Sequence, residues 1–430
     1  MKRKTTLFLL GLMLITVFLC ISAQAEPIAS GTFGRPELAM QWSVEGNTLY
    51  ITGNGYMDGF SNNDSRPWDV YRDQIQRIVM SGTMDNVGNY AFVGCSKLKE
   101  IVWPDGLKYI NNYAFSGCTS LQEVTIPDQV EVIFEYAFKD CVELRTVSIP
   151  KSVIRLEQGV FYECAALHTV TLSSGLKEIG RYCFRECKDL KQIELPNTLL
   201  KIGSAAFRES GLQKIVIPEQ VHQVDGGVFT DCSNLKEVTF SCRSLETFGN
   251  HVFLNCKALT TLRFLADVTT VQMDSFGGCD NLKEVCFFGD MPKFVPSYVD
   301  YVSITFCYPE GNTTWTQGKL DAYIEGHLGE VKLCAMEELP AEKPTEATIP
   351  ATSPTVVPPT EQTQPENEAA ADNVTTVPST GAVDQENNIQ SEPKEEHNGL
   401  LLLVIVLSAV LVALITAGCI FAIKLRRGKV

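Results

Sequence analysis

Between residues 75 and 292 the apolar and polar positions recur with one period. A phenylalanine returns as Phe92, Phe115, Phe138, Phe161, Phe184, Phe207, Phe229, Phe253 and Phe276, every 23 residues apart from one spacing of 22 and one of 24. One template surrounds it. Ala or Val precedes the Phe, Cys follows three positions on, and Leu three further. Ile or Val and a second apolar residue then alternate with polar neighbours, Pro often closes the segment, and two apolar residues three apart complete the unit. The second copy shows this as Ala114, Phe115, Cys118, Leu121, Val124, Ile126, Pro127, Val130 and Ile133. A degenerate half-copy comes first, with Ile75, Ile78, Met80, Met84 and Val87 aligned to Leu98, Ile101, Trp103, Leu107 and Ile110. The pattern predicts about ten strand-bearing units.

The alternation after each Leu predicts a short strand with one buried face. The Pro that follows cannot donate to a ladder and turns the chain. One such unit buries too few side chains to fold alone, so neighbouring units must stack and share one interior, as in a solenoid. Cys95, Cys118, Cys141, Cys164, Cys187, Cys232, Cys256 and Cys279 occupy one template position, with Ser210 in the remaining slot. That predicts a buried column of free thiols: stacked neighbours are close enough for disulfides but their side chains run parallel, which suits an S–S bond poorly. No Cys-x-x-Cys pair is present to suggest a metal array.

These repeats resemble the BspA-type leucine-rich repeats of bacterial surface proteins, closely over 75–292. Trp42, Leu49 to Met57 and Pro67-Trp68 are similar to the short β segment that often precedes such repeats, and residues 304–315, with Tyr308 to Asn312 and Trp315, to a common closing segment. The resemblance implies a leucine-rich-repeat solenoid, right-handed and curved, with a parallel β-sheet on its concave side. It also implies adhesion or protein binding at a cell surface.

The polar residues between the strand's apolar ones should face outward. They make a candidate partner-binding row: Lys99, Glu100, Gln122, Glu123, Thr125, Arg145, Thr146, His168, Thr169, Thr171, Lys191, Gln192, Glu194, Lys214, Lys236 and Glu237. The plain alternative is a solvated surface whose neighbouring opposite charges contribute little. Cys307 and Cys334 flank the closing segment and could pair with each other.

The ends suggest an address. Lys2, Arg3 and Lys4, an apolar run to about Ile21 and Ala23-Gln24-Ala25 read as a signal peptide over 1–25. Leu400 to Ile423 is long enough for a transmembrane helix, and the basic residues of 424–430 place that tail on the cytoplasmic side. Between fold and membrane, 338–398 holds nine Pro and nine Thr and reads as a disordered, acidic stalk. Within it, Val377, Pro378, Ser379, Thr380 and Gly381 resemble a sortase signal, which would make the anchor cell-wall attachment instead. The organisation expected is thus a signal peptide over 1–25, an N-terminal β cap over 26–74, repeats over 75–292, a C-terminal cap over 293–337, the stalk, the span 400–423 and the tail.

Net charge is −15, with no basic stripe of the kind nucleic acid requires. Five scattered histidines and the lack of a Gly-x-Ser-x-Gly, a phosphate loop or a His-Glu-x-x-His motif leave no catalytic, cofactor or metal residues to nominate. The function expected is non-enzymatic: a membrane-anchored surface protein that binds a host or neighbouring-cell protein, with an envelope scaffold for the cell's own surface proteins as the alternative.

Overall fold

The computed structural model describes residues 27–242, 244–265, 267–295, 304–324 and 331–336. The signal peptide, stalk, sortase-like motif, membrane span and basic tail expected above lie outside these residues.

The repeats form a parallel β-solenoid in which three stripes of backbone hydrogen bonds join neighbouring coils, the first of them divided among three sheets. The first stripe consists of strands such as Glu123–Thr125, Thr146–Ser148 and Thr169–Thr171, which pair in parallel with a register of one period. The second is an eight-stranded parallel sheet of two-residue strands, from Asn86–Val87 through Val132–Ile133 to Thr247–Phe248. The third runs along the turns around each phenylalanine. There the amides of Phe92, Phe115 and Phe138 donate to the carbonyls of Ala114, Ala137 and Val160 in the following coil. Every coil therefore satisfies much of its backbone only through its neighbours, which is why the unit is the stack and not the repeat.

Side chains fill the interior in columns. The phenylalanines from Phe92 to Phe253 are fully buried, with ring centroids 5.3 to 5.8 Å apart from one coil to the next. The cysteine column is buried as expected, and all thirteen described cysteines are free thiols. The Cys141 Sγ–H donates to the Phe115 carbonyl at 3.3 Å and that of Cys164 to the Phe138 carbonyl at 3.1 Å, one coil back in each case. The same bond recurs from Cys118 through Cys279. Each thiol is thus a donor inside an apolar core, which explains why a small weakly polar residue fills this slot.

Two positions per coil have left-handed backbone. One holds Tyr90, Tyr113, Tyr136, Tyr182, Ala205 and His251, and the other Gly94, Gly117, Asp140, Glu163, Glu186, Glu209, Asp231 and Asn255. At Gly117, φ is +72° but an added Cβ finds its nearest neighbour at 3.5 Å, so only the backbone preference opposes a side chain. At Gly180 an added Cβ would lie 2.5 Å from the Leu156 carbonyl oxygen. Gly117→Ala is expected to cost about 1 kcal/mol and Gly180→Ala about 2–3 kcal/mol because backbone must move. Urea midpoints of the two variants check the order, which reverses if backbone conformation outweighs contact.

One unit departs from the sequence expectation. Residues 190–197, which include Lys191, Gln192 and Glu194, form no strand. The coil after it is the short one, with 22 residues between Phe207 and Phe229. Its shortened turn draws the Gly211 amide to the Cys187 carbonyl, where neighbouring coils use the residue after the cysteine. An added Cβ at Gly211 would sit 1.9 Å from the Lys188 carbonyl oxygen. The tight turn and the lost strand are adjacent, and the first stripe is interrupted there.

At the N-terminal end, Ala29–Phe33, Met40–Glu45 and Thr48–Thr52 pair antiparallel, and Thr48–Thr52 then pairs in parallel with Arg77–Ser81. Trp68 plugs the interior, fully buried among Phe33, Trp42, Phe60 and Phe92, with Nε1 donating to the Ala91 carbonyl at 3.1 Å. At the other end the sheet continues past the last repeat. Ile304–Pro309 pairs in parallel with Glu284–Phe287 and with Val331–Met336. The expected closing segment is thus part strand, and Trp315 covers the interior against Phe287 and Tyr308. Among the described residues the single α-helix is Gln317–Ile324, and no helix is long and apolar enough to cross a membrane.

Candidate binding surface

Alternation of the first-stripe strands decides which side chains face solvent. In Glu123–Thr125 the central Val124 is buried while Glu123 and Thr125 are exposed, and in Lys214–Ile217 Ile215 and Ile217 are buried while Lys214 and Val216 are exposed. Of the sixteen residues of the candidate row, fourteen are exposed; Thr146 and Glu237 are half-buried. Parallel pairing sets Glu123, Thr146 and Thr169 side by side, and likewise Lys214 and Glu237. Lys191, Gln192 and Glu194 are exposed but lie on a coil without a first-stripe strand, and Glu100–Val102 is not paired with Glu123–Thr125, so the row is divided among three sheets with an irregular unit between the second and third.

Five basic residues of the row (Lys99, Arg145, Lys191, Lys214 and Lys236) face four acidic ones (Glu100, Glu123, Glu194 and Glu237). Several are already paired: Glu100 with Arg77 at 3.0 Å, Lys214 with Glu237 at 3.3 Å, and Gln122 donating to Glu143 at 3.1 Å. The His168 ring shares a 2.9 Å hydrogen bond with the Thr169 hydroxyl beside it. Such exposed contacts add at most about 1 kcal/mol each to stability and are readily exchanged for contacts with another molecule.

Sequence reasoning passed over a second feature. On the turns, Tyr90 stacks on Tyr113 at 4.8 Å and Tyr113 on Tyr136 at 4.9 Å, and Tyr162 and Tyr182 extend the half-buried row. Arg185 lies over Tyr162 at 5.3 Å and pairs with Glu186 and Glu209. Arg208 joins Glu209 to Asp231. A tyrosine two positions before the phenylalanine, in four of the coils, was the signal that could have shown it. Beside this row the short turn at Ser210-Gly211 leaves an open cleft of about 560 Å³ with Lys188, Arg208, Asp231 and Asn234 on its walls. Among the described residues, no group of three or more His, Cys, Asp or Glu side chains is placed to hold a metal ion.

Parallel coils with two stripes of strands, one stripe of turns and a repeated leucine and phenylalanine inside define a leucine-rich-repeat type of β-solenoid. A model of the BspA type leucine-rich repeat region matches residues 70–175 and 155–283, in six copies. Through these repeats the chain belongs to the BspA-type leucine-rich repeat family. No curated protein matches it. Among solved structures it is similar to a leucine-rich repeat protein from Bacteroides ovatus, at 20% identity and a TM-score of 0.39 over 73% of this chain and 100% of that one. It is also similar to a leucine-rich cell surface protein from Faecalibacterium prausnitzii, at 21% identity and a TM-score of 0.39 over 73% of this chain and 97% of that one. A leucine-rich repeat protein from Eubacterium ventriosum matches at 18% identity and a TM-score of 0.38, over 62% of this chain and 87% of that one.

Proposed function

We propose that the repeat region is the non-enzymatic protein-binding module of a cell-surface protein, which adheres to a host or neighbouring-cell protein through the first-stripe row. The observation that carries this reading is the register: polar side chains stand at equivalent positions on successive parallel strands, forming an extended surface of mixed charge. Repeat stacks bind proteins over surfaces of this kind, and mixed charge favours specificity and rate of encounter over raw affinity. The signal peptide over 1–25, the stalk over 338–398 and the span over 400–423 supply the route to that surface and a tether to it; cleavage within Val377 to Gly381 would exchange the membrane tether for a wall linkage.

The full chain, displayed on cells, tests the proposal against host extracellular proteins and against the producing cell's own envelope proteins. Reversing Lys99, Arg145, Lys214 and Lys236 to Glu together should weaken capture of a host protein at least tenfold while moving the melting temperature little. Capture only of the cell's own envelope proteins would instead establish the scaffold reading. Capture unchanged by the four reversals would place the contact elsewhere.

A further inference from the structure

The C-terminal strands carry three cysteines that do not belong to the interior column. Parallel register places Arg263, Cys286, Cys307 and Cys334 at equivalent positions of four successive strands, Thr261–Phe264, Glu284–Phe287, Ile304–Pro309 and Val331–Met336. Neighbouring strands lie about 4.8 Å apart, inside the Cα range of about 4.4–6.8 Å that a disulfide spans, and the parallel side chains that suit a lasting S–S bond poorly make a bond formed here a strained and readily exchanged one. Cys286 and Cys307 lie within hydrogen-bonding reach of each other. Exposure differs along the row: Cys334 is exposed, Cys286 half-buried and Cys307 buried. Cys334 is the one exposed cysteine among the described residues. The interior thiols, by contrast, are enclosed and occupied as donors to carbonyl oxygens.

We propose that Cys334, Cys307 and Cys286 form a thiol–disulfide exchange site for organic disulfides, with Cys334 the capturing thiol and Cys307 the resolving one. The Cys334 thiolate attacks one sulfur of the incoming disulfide. A Cys334–S–S–R bond forms and the R–S bond to the other half breaks, releasing a thiolate that takes up a proton. Cys307 then loses its proton to hydroxide and attacks the Sγ of Cys334, forming the Cys307–Cys334 disulfide and releasing the second half as a thiolate that takes up a proton from water. The sum is two cysteine thiols oxidised and one organic disulfide reduced to two thiols. Cys286 can next attack the Sγ of Cys307, which moves the bond to Cys286–Cys307 and frees the Cys334 thiolate again. Burial pushes the Cys307 thiol up to about 12, which keeps it protonated and out of the first step. The final bond would also staple the closing strands to the last repeat.

Oxidised glutathione added to the reduced full chain at pH 8 tests the site, with peptide mass spectrometry assigning each cysteine. In the wild-type chain glutathione should appear first on Cys334 and then leave, ending in a Cys307–Cys334 or Cys286–Cys307 link with two glutathione thiols released. Cys307→Ser should retain glutathione on Cys334 at least tenfold longer, and Cys334→Ser should slow thiol release at least tenfold. The interior thiols report folding in every variant by remaining unmodified. The wild-type order of events stands independently of whether a variant folds. Persistent glutathione on wild-type Cys334, or reaction of Cys334 no faster than the interior thiols, would overturn the proposal.

Discussion

Between pH 9 and about pH 10.5 the repeat stack is expected to unfold cooperatively and to refold when the pH is returned to 8 under reducing conditions. Ten buried thiols carry this effect: Cys95, Cys118, Cys141, Cys164, Cys183, Cys187, Cys232, Cys242, Cys256 and Cys279. Burial pushes them up from an ordinary value of 9.0, to about 12 for Cys95, Cys141 and Cys279 and to about 11 for Cys232 and Cys242. The folded chain therefore holds protons that the unfolded chain sheds. Their contribution is intact below pH 9 and declines as pH rises from there toward the folded values. At pH 10 each of these five thiols gives up about 1.4 kcal/mol, on the order of 7 kcal/mol together, and the other five, pushed up by the same burial, add to it in the same direction, against a typical domain's whole stability of about 5–15 kcal/mol. Circular dichroism followed from pH 7 to 11, with thiolate absorbance recorded in parallel, checks it. Both signals should be flat to pH 9 and rise together above it. A stack still folded at pH 11 would show that the thiols are not sealed in.

Phe161→Ala should have the largest effect of any single truncation in the middle of the stack. The ring is fully buried between Phe138 at 5.8 Å and Phe184 at 5.6 Å, so its removal opens a cavity with no outer face through which to collapse. Phenylalanine truncations in cores cost about 3–5 kcal/mol, and the loss of two ring contacts places this one toward the upper end. Coupling in a stack passes only between neighbours. The damage should therefore also divide the urea transition, with the coils on either side of the cavity unfolding at separate midpoints. A single transition with the wild-type slope and a shift below about 1 kcal/mol would show that the coils repack around the gap.

The period was legible because the interior is built from one residue type per slot. Phe, Cys and Leu recur at positions where only a buried, stacked environment would keep them, and the outward row followed from strand alternation alone. The irregularities were not legible in the same way. Lys191, Gln192 and Glu194 have the local pattern of a strand but form none, and the next coil carries Ser210-Gly211 in a turn one residue shorter than its counterparts, a neighbour that local pattern does not reveal. The two strands beyond the last repeat, Ile304–Pro309 and Val331–Met336, lack the Phe-x-x-Cys-x-x-Leu spacing that marks the repeats, and they pair with the sheet edge already present. The exchange row of Cys286, Cys307 and Cys334 was hidden for a related reason. Their spacings of 21 and 27 residues match no period, and only the register of three strands brings them together. In sequence Cys307 and Cys334 read as flanks of one segment, while Cys286 sits in a repeat's outward position with nothing to tie it to them.

Phe207 to Phe229 is one residue short and Phe229 to Phe253 one residue long, yet the aromatic column passes through both at its usual spacing. Gains and losses of single residues are thus absorbed at the outer bends without disturbing the shared interior. Genetic recombination between near-identical copies would therefore change such a gene product in whole layers, each adding about 4.8 Å of length and a few new surface positions, while flanking layers keep their contacts. The reach of the molecule and the pattern it displays can then diversify independently of whether it folds.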